Sequence, residues 1–261
     1  MKSKLQEEIQ SLPTALSGRI CIHEDRPDAE GGAYVLYWMH HAVRGHENPA
    51  LDVALAMANR RRLPVVVYQG LGGRHPYNND RHHTFIMQGA SDAHEQLRRL
   101  GVRALFHLDP TGSGESPLRK LAVRAAMVVV EDFPAPPFPS WTRLLANHSP
   151  CSVLAVDCAC IVPMRQQPHR FERAYEFRRH NKAEFECRVT QSWPMVKPII
   201  PKFDGPLDVV SLELDSAEFD EICARCNMDH SIPPVAHTRG GSAAGYPAWR
   251  LRVPFRIRVI W

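Results

Sequence analysis

No stretch of the 261 residues approaches the length of a membrane-spanning helix. The opening, MKSKLQEEIQSLPTALSGR, has no apolar core of the kind a secretory signal needs. Several phosphate and nucleophile signatures are also missing. No G-x-G-x-x-G follows the first apolar run, so a classical dinucleotide site is not signalled. Gly70, Gly72 and Gly73 are spaced as a plain loop. Thr111 to Glu115, TGSGE, lacks the Lys-Ser/Thr with which a P-loop reaches phosphates and Mg²⁺. No G-x-S-x-G elbow is present, which removes the usual serine hydrolase nucleophile. Charge of one sign is scarce: 32 Lys and Arg against 28 Asp and Glu leave a net +4. That mild excess permits nucleic-acid binding without arguing for it. The 7 cysteines are odd in number and irregularly spaced. Without a secretory signal they predict free thiols in a reducing cytosol, hence a cytoplasmic protein.

What is present is organised around residues 33 to 51, AYVLYWMHHAVRGHENPAL. Ala33 to Met39 is a short apolar run with β-branched and aromatic residues and reads as a buried strand. Asn48 is a good N-cap, and Pro49 stands where the first helical residue belongs, its missing N–H costing nothing there. The polar loop His40 to Glu47 lies at the strand's carboxyl end, where open α/β sheets place their ligands. The alternation then repeats. Further strands are expected at Leu63 to Tyr68, Val102 to Leu108, Met127 to Glu131 and Ser152 to Val156. Helices are expected at about Asp80 to Leu100, Ser116 to Ala125 and Ser140 to Asn147, with Gly101 stopping the first of them.

Five strands with helices between them predict an α/β fold: a Rossmann-like five-stranded parallel sheet with helices on both faces. It occupies residues 33–163. Residues 1–32 read as a polar leader with a short helix at Lys4 to Leu12. Residues 164–235 read as an irregular, proline-rich linker with a short helix candidate at 216–227.

Three clusters could carry chemistry. Cys223-x-x-Cys226 has half of a zinc site's spacing, but no second cysteine pair matches it, and two small residues on a helix is the preferred reading. His40-His41 and His82-His83 are neighbours whose side chains point apart, so each pair supplies at most one ligand easily. No metal site is expected. His169 to Arg188, HRFERAYEFRRHNKAEFECR, could meet phosphates through Arg170, Arg173, Arg178, Arg179 and Lys182 while its aromatics stack on bases. The preferred reading is an amphipathic helix packed on the sheet through Phe171, Tyr175 and Arg178, because the interleaved glutamates weaken counterion release.

Several of these segments, in order, resemble the DNA photolyases, most closely the class II cyclobutane-dimer photolyases. The resemblance starts with Tyr37, Trp38, Met39, Arg44, Asn48, Ala50 and Leu51, and continues through LPVVVYQGL. Arg81, His82, Phe85 and Gly89 are similar to the family's next helix, and VVVEDF with the Trp141 helix to its fourth unit. Val156, Asp157, Val162 and Pro163 resemble the crossover out of the sheet, followed by Tyr175 and Arg178. IPPV and GGSAAG resemble the threshold of the flavin domain. Departures are PAPPFP where the family is usually basic, Cys158 to Cys160 where it often carries His-Asn, and WRLRVPFRIRVIW where amphipathic helices are expected.

The resemblance implies an antenna domain that cradles a deazaflavin or folate, with Met39, His40, Asp132 and Phe133 as candidate contacts at the strand ends. In that family the antenna passes excitation to reduced FAD, which splits a pyrimidine dimer in damaged DNA. Residues 236–261 would be the truncated start of the FAD-binding helical domain. The chain alone would then hold no catalytic residue, be unlikely to hold FAD, and be catalytically silent. The competing expectation is a stand-alone chromophore- or nucleotide-binding Rossmann-like module of photosensor or electron-transfer type.

Overall fold

The computed structural model describes residues 2–27, 31–72, 77–112, 116–215 and 218–252. Gly73, the end of TGSGE, Ser216 and the tail from residue 253 lie outside them. Helices α1 (Lys4–Gln10) and α2 (Thr14–Ser17) lead into strand β1 (Ile20–Glu24). Strand and helix then alternate through β2 (Tyr34–Trp38), α3 (Pro49–Arg61), β3 (Val65–Gly72), α4 (Asp80–Arg99) and β4 (Arg103–Asp109). The alternation ends with α5 (Leu118–Val123), β5 (Ala125–Glu131), α6 (Phe138–His148) and β6 (Ser152–Val156). Helices α7 (Ala174–Thr190), α8 (Phe219–Cys223) and α9 (Ser242–Arg252) follow.

The sheet runs β1-β6-β5-β2-β3-β4. The five expected strands, β2 to β6, are parallel, and the strand order reverses between β2 and β5. The sixth strand is a correction. The polar leader supplies β1, which pairs antiparallel with β6 from Ile20 opposite Val156 and covers that edge of the sheet. Its half-buried, mixed ICIHE pattern gave no strong alternation to read.

Side chains sort by strand period. Val35, Tyr37, Met127, Val129, Leu154 and Val156 face one core, with α3 and the buried Leu5, Ile9, Leu12 and Leu16 of the leader. Tyr34, Leu36, Val128, Val130, Val153 and Ala155 face the other, against α5 and α6. Asn48 caps α3 as expected, its side chain accepting from Leu51 N at 3.1 Å, with Pro49 in the first turn.

The segment after β6 is strapped across these layers. Asp157 accepts from the backbone N–H groups of Ala159, Cys160 and Met164 at 2.9–3.0 Å. Buried Arg19 donates to the carbonyls of Asp157, Cys160 and Ile161 and lies over the Trp193 ring. Buried Asp52 on α3 accepts from Trp193 Nε1 at 2.6 Å and Val196 N at 2.9 Å. Further on, Phe203 packs edge-on to Tyr34 on the opposite face, centroids 5.1 Å apart.

Both sheet faces are thus occupied by other elements, and the expected packing of α7 on the sheet is not found. Asn181 is its one buried residue, held by an amide pair with Gln167 at 2.8 and 3.0 Å. Tyr175 and Phe177 are 55% and 45% exposed.

Leu16 is fully buried, so the leader is part of the folding unit. Leu16→Ala is expected to lower stability by about 3 kcal/mol. A urea titration of both proteins checks this; an unchanged midpoint would show the leader to be a loose appendage.

Candidate functional site

The carboxyl edge of the sheet at the β2/β5 reversal is where a ligand crevice is expected. Here that crevice is filled by the protein itself. Glu131, the last residue of β5, is buried. Its Oε1 accepts from the Tyr37 hydroxyl at 2.6 Å and from His40 N at 3.3 Å. Its Oε2 accepts from His41 N and Ala42 N, both at 2.8 Å. Asn48 extends the network, donating to the Tyr37 oxygen and to the carbonyls of Ala42 and Arg44. Burial, with the Glu131 charge adding to it, pushes the Tyr37 hydroxyl well above its usual range, so it stays a donor. The Glu131 carboxylate thus holds the first part of the turn that follows β2, and Asn48 the rest.

The four residues expected from sequence sit around this turn. Met39 is buried in the α3-side core. His40 stacks on Phe138 at 4.7 Å and 14° and meets Trp38 edge-on at 5.0 Å. Burial lowers its pKa, opposed by Glu131, whose Oε2 lies 3.8 Å from Nδ1. Phe133 packs on His41 at 3.9 Å and on Phe138 at 5.4 Å. Asp132 turns to Arg165, Oδ2 to Nε 3.3 Å. Phe138 thus joins His40 and Phe133 in one aromatic cluster, while Met39 and Asp132 stand apart from it.

The open space lies on the other side of β2. A cavity of about 470 Å³ is lined by Trp38, Tyr68, Gly70, His107, Asp109, Lys120 and Trp141, among others. None of the four expected residues lines it. Two indoles, Trp38 and Trp141, stand 6.3 Å apart and tilted 33°. The Tyr68 hydroxyl lies 3.3 Å from Ser116 Oγ, and burial pushes its pKa up to about 12. Gly70 is required there, since a Cβ would come within 2.7 Å of the Tyr68 oxygen. Arg119 and Lys120 add positive charge beside His107 and Asp109. The volume and the largely apolar walls with a few polar groups are those of a small-molecule site. Flat indole faces with cations at the rim suit a planar heteroaromatic ring carrying an anionic tail.

Strand alternation could have found Trp38: it faces opposite to Met39, the residue that follows β2. Tyr68, His107 and Lys120 could not be assembled without the strand order. Among the described residues, no group of three His, Cys, Asp or Glu side chains could hold a metal ion. Cys223 and Cys226 are buried, and burial raises both thiols. His83 is buried and His82 exposed, pointing apart.

No family model matches the chain. A curated relative, the deoxyribodipyrimidine photo-lyase of Methanothermobacter thermautotrophicus, is 29% identical over 229 residues, which is 85% of this chain and 47% of that protein. A cryptochrome of Synechocystis sp. PCC6803 superposes with a TM-score of 0.60 at 16% identity, covering 82% of this chain and 44% of its own. In sequence the chain is thus similar to a photolyase, and in fold to the photolyase/cryptochrome family. An archaeal photolyase from Sulfolobus tokodaii, whose structure holds two FAD molecules, shares the photolyase fold with a TM-score of 0.54 at 14% identity, over 85% of this chain and 47% of its own. The chain spans about half the length of the curated photolyase it matches. Its wound sheet is the α/β half of the photolyase fold, with one antiparallel strand beyond the five expected.

Glu131→Gln keeps one acceptor oxygen and turns an NH₂ donor toward backbone donors. The variant is expected to lose about 3 kcal/mol of stability. Its denaturant midpoint checks this; a wild-type midpoint would mean that the carboxylate does not hold the turn.

Proposed function

We propose that the chain is the light-gathering half of a deoxyribodipyrimidine photolyase of the class II type, and that the cavity walled by Trp38, Tyr68 and Trp141 holds its antenna chromophore. The observation that carries this reading is the cavity itself. It lies at the carboxyl edge of a photolyase-type sheet, and it has flat aromatic walls beside Arg119 and Lys120. A deazaflavin or folate fits that chemistry: its ring lies against the indoles and its anionic tail meets the cations. Such a group, when bound, supplies visible or near-ultraviolet absorption. The chain's own residues hold it flat, keep Tyr68 protonated as a hydrogen-bond donor, and exclude water from the ring.

Residues 33–163 form the antenna domain in this reading, 164–235 the linker, and 236–261 the approach to the flavin domain. Met39, His40, Asp132 and Phe133 then act from behind the wall. His40 and Phe138 set the Trp38 and Trp141 rings, and Glu131 fixes His40 through its backbone N–H. Electron donation by FAD and the splitting of dimers in damaged DNA fall to the part of the relatives that these residues do not match. The second reading, a stand-alone chromophore-binding module, is favoured by the same cavity and differs in having no dimer-splitting partner half.

Titration with a deazaflavin, with a folate and with riboflavin 5′-phosphate, followed by absorbance and equilibrium dialysis, tests the cavity. Binding of one of them is expected to weaken about tenfold or more in Trp38→Ala and in Trp141→Ala, the loss of one stacking face. Binding to none of the three, or binding untouched by both substitutions, would refute the assignment.

A further inference from the structure

The surface of α7 raises a separate question. A helix of 17 residues that buries only Asn181 is not held by its apolar face. Its polar surface is sorted. Tyr175, Arg178, Arg179 and Lys182 recur at i, i+3, i+4 and i+7, which places them on one stripe, and all four are exposed. The acids lie mostly elsewhere. By spacing Glu176 and Glu184 fall off the stripe, although Glu176 Oε1 accepts from the Tyr175 hydroxyl at 3.2 Å; Glu184 is engaged by Arg188 at 2.5 Å. Glu186 closes the far end of the stripe, 4.0 Å from Lys182. Arg178 and Arg179 make no hydrogen bond or ion pair among the described residues. Just upstream, Arg170 is likewise without one, and Arg173 contacts the Tyr175 hydroxyl at 3.4 Å.

We propose that the stripe Tyr175, Arg178, Arg179 and Lys182 is a docking surface for the phosphate backbone of DNA, with Tyr175 placed to stack on an unpaired base. Charge complementarity carries the choice of occupant. Three cations clustered over two adjacent helical turns match a polyanion, and a sequence-independent contact needs no more than that. The exposed large apolar groups of that face, Tyr175 and Val189, stand about four turns apart and form no continuous patch for a protein partner. The cavity of the preceding section takes no part, so each idea can fail without the other.

The test uses the whole chain, without chromophore, and a fluorescently labelled undamaged duplex. Anisotropy is read across a series of potassium chloride concentrations. A plot of log K against log salt is expected to fall with a slope of about −2 to −3, for two or three phosphate contacts, with Kd of about 10⁻⁴ to 10⁻⁶ M at physiological salt. Arg178→Gln/Arg179→Gln should remove about 2 from that slope and weaken binding at least tenfold. Arg178→Lys/Arg179→Lys should restore the slope, and circular dichroism should show all variants folded, since both side chains are exposed. Tyr175→Ala should weaken a single strand more than a duplex. Absence of salt-dependent binding, or a slope unchanged in the Gln variant, would overturn the proposal. So would sedimentation showing the chain dimerising through this stripe, with the dimer lost in the Gln variant, because the occupant would then be a second copy.

Discussion

The site depends on one buried carboxylate. Taking an ionised group out of water costs several kcal/mol unless its lone pairs are satisfied. Glu131 meets that cost with the Tyr37 hydroxyl and the backbone N–H groups of His40, His41 and Ala42. The consequence is geometric. The crevice at the strand-order reversal, open in many doubly wound sheets, is closed by the turn after β2. An open cavity lies across β2, lined by Trp38, Tyr68 and Trp141. The direction in which each side chain of β2 points decides which residues touch solvent or ligand, and which are support.

The second constraint is coverage. Parallel strands need both faces buried, and the chain covers them with α1 to α4 on one side and α5 and α6 on the other. The segment from Trp193 to Gly205 then crosses from the α3 side to the α5 side, tied by Asp52, Asn59 and Arg103. Helix α7, which precedes that segment, lies on neither sheet face. Its contacts are the Asn181–Gln167 amide pair, Arg188 on Gln166, and Phe177 and His180 against Phe171, while Arg178, Arg179 and Lys182 remain exposed.

Much of the architecture was legible in the sequence because central strands announce themselves. VVV at 65–67 and at 128–130 has no other good place in a soluble fold, and Asn48-Pro49 marks a helix start by hydrogen bonding alone. The leader strand was not legible. Ile20 to Glu24 is an edge strand, and an edge strand is half exposed and carries a mixed pattern. The site was half legible. Sequence pointed to the strand ends, yet a strand end has two sides, and Met39 and Trp38 differ by one residue and an entire face. Tyr68, His107 and Lys120 belong to different units and meet only after the strand order is known. For α7 the aromatic spacing was right for a helix, but spacing does not say whether a surface is available to pack on.

These pieces describe a photolyase-type α/β fold whose candidate cavity is set by which face of β2 stays open. Indole N–H signals offer the most direct test of that claim. In a ¹⁵N-labelled chain saturated with whichever chromophore binds, the Trp38 and Trp141 indole resonances should shift, while that of Trp193, held by Asp52 on the far side, should not. Shifts confined to the His40, His41 and Phe133 region, with both cavity indoles unmoved, would contradict the account.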